Sequence, residues 1–197
     1  RTASAWSANV YVTNSVGKDL VVRAGTSFSL DGNKVHDFTR VTVEETATLI
    51  LSNMDSMDSS GVVLSVRGDI NVHGTIQFRG ATIFCKTMNI TALGRVSGFK
   101  MGYPEGQGYA VGSQGNAYAG GGHAGKGGDR GADAGGSVTY GSISRPVHFG
   151  SGAGTSNSGQ PGGGAVRIVA SESVVLSGII DADGGGDTGS EDGGGGA

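Results

Sequence analysis

GGGAVRIVASESVVLSGIIDADGGG, residues 162–186, is an island of strand pattern between two floods of glycine. Val166 and Ile168, then Val174 and Leu176, then Ile180 recur at spacing two, the period that puts one face of a strand inward. Glycine loses more conformational freedom on folding than any other residue, so its abundance beside a good strand needs a reason.

Two other stretches align with this one on a glycine. Around Gly74 the chain reads INVHGTIQFRG, and around Gly94 it reads ITALGRVSGFK; around Gly178 it reads VVLSGIIDADG. Small or apolar residues stand four and two before the glycine (Ile70 and Val72; Ile90 and Ala92; Val174 and Leu176), and an apolar residue stands two after it (Ile76, Val96, Ile180). A further apolar pair lies upstream in each: Leu64 and Val66, Ile83 and Cys85, Val166 and Ile168. Gly74 and Gly94 are 20 residues apart, the length of a stacked coil that cannot bury its apolar face alone. The alternation continues upstream in RVTVEETATLIL, residues 40–51, and sustained helical spacing is missing. The pattern predicts an all-β chain, a parallel β-helix (solenoid). Its predicted interior is Leu64, Val66, Ile70, Val72, Ile76, Ile83, Ile90, Val96, Val166, Ile168, Leu176 and Ile180. The aligned glycine would be a corner that needs positive φ or close backbone approach. The alternative is a β-sandwich, whose short antiparallel strands alternate in the same way.

Residues 94–164 hold 24 of the 40 glycines. Gly122, Gly125, Gly128 and Gly131 recur every third residue, the period of a polyproline II helix. A long Gly-rich insertion, polyproline-II-like and packed through its glycines, is therefore expected to interrupt the coils. The expected organisation is an N-terminal strand and linker over 1–18, coils over 19–98, the insertion over 99–163, and a final coil with a Gly-rich tail over 164–197.

The 197 residues suffice for a domain with its own core. A net charge of −3 gives no basic field for nucleic acid or anionic membrane, and no apolar run reaches the length of a membrane span. The single cysteine, Cys85, has no intrachain partner and sits in the apolar run TIFCK, so a buried thiol is expected. The start at Arg1 and the end inside a glycine run carry the expectation that the chain is a segment of a longer polypeptide.

The sequence YGSISRPVHFGSGAG (140–154), followed by residues 162–186, resembles a recurrent unit of glycine-rich extracellular and cell-surface repeat proteins, with the pattern YGS, FGSG, GGGA, a hydrophobic residue and RI. It matches at Tyr140 to Ser142, Phe149 to Gly152, Gly162 to Ala165, Arg167, Ile168, Gly178, Ile180, Ala182 and Gly184. The resemblance covers about the last 60 residues well; residues 62–98 fit only as generic coils. It implies a right-handed parallel β-helix used as a stalk, adhesin or surface layer, and it carries no active site.

Other chemistries compete with that structural role. Lyases and hydrolases on such folds use clustered carboxylates with Arg or Lys along a strand face; Asp69 and Asp181 fall at different places relative to their glycines, no ladder forms, and no enzyme activity is expected. The acids Asp181, Asp183 and Asp187 in DADGGGDTGSED are weak candidates for a Ca²⁺ site, since oxygen-rich loops can hold that ion, but the spacing fits an EF-hand loop only in part, and no cofactor is expected. GGGHAGKGG nearly spells a phosphate loop, with Gly127 standing where Ser or Thr is required. Asn89 in NIT is a glycosylation candidate. Tyr103, Tyr109, Tyr118 and Tyr140 could stack on sugars or cover the solenoid. Finally, AWSANVYVTNS (5–15) is an alternating strand whose Trp6, Val10 and Val12 are candidates for assembly by strand addition. The expected function is a structural module of an extracellular fibre, stalk or surface layer that self-assembles by coil stacking, with itself as partner. A glycan-binding adhesin is the alternative, and a polysaccharide-active enzyme comes third.

Overall fold

The computed structural model describes residues 10–12, 18–30, 35–51, 61–111, 120–123, 126–127, 138–141, 148–154 and 160–186. Trp6 and Asp187, and Gly125, Gly128 and Gly131 of the glycine triplets, lie outside these residues. The described chain is all-β, with no helix. Its strands are β1 (Val10–Val12), β2 (Asp19–Val22), β3 (Ser27–Leu30), β4 (Val35–Phe38), β5 (Arg40–Val43), β6 (Thr48–Leu51), β7 (Val62–Val66), β8 (Asp69–Val72), β9 (Thr75–Phe78), β10 (Gly80–Ile90), β11 (Arg95–Ser97), β12 (Ala165–Leu176) and β13 (Ile179–Asp181). Two compact units divide the chain: Arg1–Met54 with Ser60–Ser97 and Ile168–Ile180, and Asp55–Ser59 with Gly98–Arg167 and Asp181–Ala197.

In the first unit one sheet runs in the order β1-β2-β5-β8-β10-β7-β4, with β12 also on β10, and a second runs β13-β11-β9-β6-β3. β1 joins β2 antiparallel. The ladders from β2 to β5, β5 to β8, β8 to β10, β4 to β7, β7 to β10, β3 to β6, β6 to β9 and β9 to β11 are parallel. These parallel strands form a curled, nearly closed sheet compatible with a solenoid, and their pairing departs from the antiparallel sandwich alternative.

Register turns the alternation into continuous inward rows. Val22, Val43, Val72 and Ile90 form one row, Leu49, Ile76 and Val96 another, and Leu64 stands on Ile83. All these side chains are fully buried. Full burial of one aliphatic side chain stabilises by about 1.5–3 kcal/mol, so the rows carry the unit. Outward positions stay polar, as in Thr42, Asn71 and Asn89.

The register corrects one part of the sequence alignment. Ile90 pairs with Val72, so Ala92 is not its counterpart; it lies exposed in the corner 91–94. The corners differ in length: 23–26, 44–47 and 91–94 have four residues, whereas 73–74 and 177–178 have two. The glycines still coincide, because each closes its corner against the coil before it. A Cβ on Gly94 would strike the Val72 carbonyl oxygen, and Gly94 itself has no positive φ, so close approach is what glycine provides there.

The last coil also departs from expectation. Val166 and Ile168 are only partly buried, and Leu176 and Ile180 are exposed. The physical reason is positional: no further described coil stands on β12 and β13.

Cys85 is 6% exposed, and burial, with a smaller push from Asp69, raises its thiol above the usual range. The folded chain is therefore expected to resist alkylation by iodoacetamide at neutral pH and to react once unfolded in urea; equal labelling rates in both states would contradict the burial.

Candidate functional site

Two features of the structure bear on function, one in each unit. In the first unit it is the terminal coil. Ser177 N–H donates to the Ile90 carbonyl at 2.9 Å, as Thr91 N–H does to Val72 at 3.0 Å, so Leu176 continues the row of Ile90. Likewise Ile179 N–H donates to Gly94 at 3.1 Å, as Arg95 N–H does to Gly74 at 2.9 Å, so Ile180 continues the row of Ile76 and Val96. Ile90 and Val96 are 0% exposed; Leu176 is 53% exposed and Ile180 37%. Val174, Val175 and Ile179 share that exposure. The same inward rows thus end in solvent, and β13 is the last strand of its sheet, with one ladder edge unpaired among the described residues. Contiguous exposed apolar surface of this kind makes the last coil a candidate docking surface.

In the second unit the glycine segments answer the question raised by residues 162–186. They hold each other laterally by backbone hydrogen bonds without forming strands. Gly102 N–H donates to Gly162, Gly162 N–H to Tyr103, Tyr103 N–H to Gly150, and Gly150 N–H to Gly163, all at 2.8–3.0 Å. The backbones approach so closely that a Cβ on Gly162 would fall on the Gly150 carbonyl. Glycine is there because any side chain would hold these segments apart.

Aromatic rings fill the space that the glycines leave. Tyr103 packs on Phe149 with ring centroids 5.7 Å apart, Tyr109 on Tyr140 at 5.2 Å, and His123 on Tyr140 at 4.9 Å. Tyr103, Phe149 and Ala165 form a small buried core. The Tyr140 hydroxyl donates to the Phe149 carbonyl at 2.5 Å and lies 2.8 Å from Ser151 Oγ. Ser151 is fully buried and its Oγ accepts the Ala110 N–H at 2.9 Å. The Ser151 hydroxyl then donates to Tyr140, and every bond of this chain is used once. Tyr103 and Tyr140 are thus committed to packing, while Tyr109 keeps 59% exposure.

Burial raises the Tyr140 phenol above its usual range. Its folded form holds the proton longer than the unfolded form does, so its effect on stability is constant below the ordinary tyrosine range and turns unfavourable as pH climbs through it. Tyr140→Phe strips the Ser151 hydroxyl of its acceptor and the Phe149 carbonyl of a donor. It is expected to cost about 1–3 kcal/mol and to remove that alkaline loss, read by urea unfolding at neutral and alkaline pH. An unchanged midpoint would show the network to be idle.

The sequence-derived candidates fall as follows. Val10 and Val12 lie in β1, paired with Val22 and Leu20 of the same chain. Asn89 lies in β10 opposite Asn71, on the outward side. Asp181 and Asp183 use their carbonyls to accept Gly98 N–H and Lys100 N–H. Among the described residues no group of three or more His, Cys, Asp or Glu is placed to hold a metal, and no helix is long and apolar enough to cross a membrane. Comparison with protein-family models, curated proteins and solved structures gives no match.

Proposed function

We propose that this chain is a structural module of an extracellular fibre, stalk or surface layer, a right-handed parallel β-helix that assembles by stacking its last coil on a second copy of itself. One observation carries the proposal: inward rows that are 0% exposed at Ile90 and Val96 reach 53% at Leu176 and 37% at Ile180. A further coil of the same fold is the occupant that continues both rows and the open ladder edge at once, since its strands repeat the same spacing. A chain of low charge density has little repulsion to oppose such stacking.

On this proposal the glycine unit is a compact, polyproline-II-like bundle without catalytic function, and Asn89 is an outward-facing glycan acceptor. The similarity of residues 140–186 to glycine-rich surface repeats supports the same role. Electron microscopy of the purified chain tests it: filaments with a protomer-length repeat are expected, whereas monodisperse single particles at high concentration would refute assembly. The adhesin alternative rests on the tyrosines and glycine loops, where Tyr109 is the ring that keeps 59% exposure.

A further inference from the structure

The unequal corners leave a notch. The corner 73–74, between β8 and β9, has two residues, while the corners that flank it in the stack, 44–47 and 91–94, have four. The missing pair opens a cavity of about 330 Å³ on the surface of the first unit. Its lower lip is Glu45 and Thr46, its back His73 with Thr48 and Thr75, and its upper lip Leu93. That volume lies at the small end of the range of about 300–1,000 Å³ usual for ligand sites.

The notch is held in shape from behind. His73 N–H and Gly74 N–H both donate to the Val43 carbonyl, at 2.8 and 3.1 Å. A Cβ on Gly74 would strike the Glu44 and Ala47 carbonyls, so the short corner sits as close to the coil below as backbone allows. Thr46 has φ +63°, a left-handed conformation that a β-branched residue rarely adopts. It is held there by Gly25 N–H, which donates to Thr46 Oγ1 at 2.9 Å. Backbone outliers of this kind concentrate at ligand sites because the surrounding structure must maintain them. Glu44, next in the chain to the lip, is tied to Ala24 N–H at 3.0 Å and Arg23 at 2.6 Å and kept below the usual carboxylate range, which fixes the base of the corner.

The lining selects a ligand class. The Thr48 and Thr75 hydroxyls each donate and accept, Thr46 Oγ1 already accepts Gly25 N–H and has its proton to donate, Glu45 accepts, and His73 does either. No lysine or arginine lines the cavity and Glu45 sets a carboxylate on its lip, which disfavours phosphate and carboxylate ligands. Leu93 stands 71% exposed at the opening, an aliphatic plate beside a ring of hydrogen-bonding groups. A ligand that satisfies both carries many hydroxyls on its edge and a C–H face. We infer that the notch between the corners 44–47 and 91–94 binds one pyranose unit of a neutral saccharide, edge-on to Thr46, Thr48, Thr75, Glu45 and His73, with its C–H face on Leu93. Binding here is independent of assembly through the last coil, which uses other residues.

Amide chemical-shift mapping of the isotope-labelled chain tests this, with the methyl pyranosides of glucose, galactose, mannose and N-acetylglucosamine as probes, each raised to its solubility limit. At least one sugar is expected to give saturable shifts confined to residues 44–48, 73–75 and 91–95. Leu93→Ser and Glu45→Gln change exposed side chains, leave the spectrum folded, and are expected to weaken binding about tenfold each, the loss of one good contact. No saturable shift with any of the four sugars would overturn the inference. So would shifts elsewhere, or affinity unchanged in both variants. N-acetyl-lysine methylamide serves as the counter-probe: saturation by it and by no sugar would mark the notch as a seat for a basic side chain and overturn the saccharide assignment.

Discussion

Gly94→Ala is expected to destabilise the first unit by about 3 kcal/mol or more, although it adds one methyl group to an otherwise unchanged corner. The added Cβ would strike the Val72 carbonyl oxygen and stand 3.1 Å from both Ile90 Cγ2 and Thr91 N. A flexible side chain could yield, but a carbonyl in a ladder cannot move without its neighbours: Val72 O accepts Thr91 N–H at 3.0 Å and the Thr91 hydroxyl at 3.2 Å. The disturbance does not stop at one coil. The Gly94 carbonyl accepts Ile179 N–H and packs against Gly178, so displacing the corner also displaces the coil above. Overpacking a rigid site costs about 1–3 kcal/mol where side chains can adjust, and more where the backbone must. Against a total stability of about 5–15 kcal/mol, that lowers the urea midpoint by a large fraction. Gly186→Ala is the matched control: a Cβ there meets nothing within 4 Å, and the midpoint is expected to stay within the small scatter of surface substitutions. Equal midpoints for the two variants would mean that the stack tolerates a wider corner and that close approach is not why glycine stands there.

The same corners show what the sequence could and could not disclose. The inward rows were legible because one face of each strand is buried, and a slip of one residue would have put Ile70, Val72, Ile76 and Val96 into water. A slip of two leaves every side chain on its own face. Alternation is therefore blind to the two residues by which the corner 91–94 exceeds 73–74, and the glycine alignment placed Ala92 where Ile90 belongs. The notch is made of that difference, which is why no motif announced it; its one sequence trace is that TALG and HG both end on the aligned glycine. The exposed last coil escaped for another reason. Val174, Leu176 and Ile180 have the composition of interior residues, and only the stacking order reveals that no described coil covers them. In the glycine unit the bonds run between backbones, and backbone bonds leave no side-chain period. Tyr140, Phe149 and Ser151 stood out in the sequence within YGS and FGSG, but not as a hydrogen-bonded network with Ala110.

The double substitution Leu176→Lys with Ile180→Lys is expected to abolish assembly and leave folding intact. Both side chains are already partly exposed in the single chain, so lysine there keeps its ammonium in water, and the loss of their remaining burial costs about 1–2 kcal/mol in all. In a stacked pair the same positions would become interior, level with rows whose earlier members are Ile90 and Val96. Burying an ammonium without a partner costs several kcal/mol, and two of them weaken association at least a hundredfold, at ~1.4 kcal/mol per tenfold. The shape of the assembly depends on what the last coil meets. At the other end of its sheet β1 lies antiparallel on β2, and Leu20 and Val22 beneath are fully buried, so the two ends present different surfaces. Last coil on first is a heterologous contact and propagates as a filament; last coil on last coil is isologous and closes as a dimer. Sedimentation velocity over a concentration series, with electron microscopy of the same samples, separates these cases. Filaments from the parent chain and monomers from the double variant, which still unfolds cooperatively in urea, would establish stacking through Leu176 and Ile180. A closed dimer sensitive to the two lysines would keep the surface and dismiss the fibre. Filaments that survive both lysines would dismiss the surface itself, and removal of residues 1–15 would then show whether β1, with Val10 and Val12, makes the link by adding to a neighbour's edge.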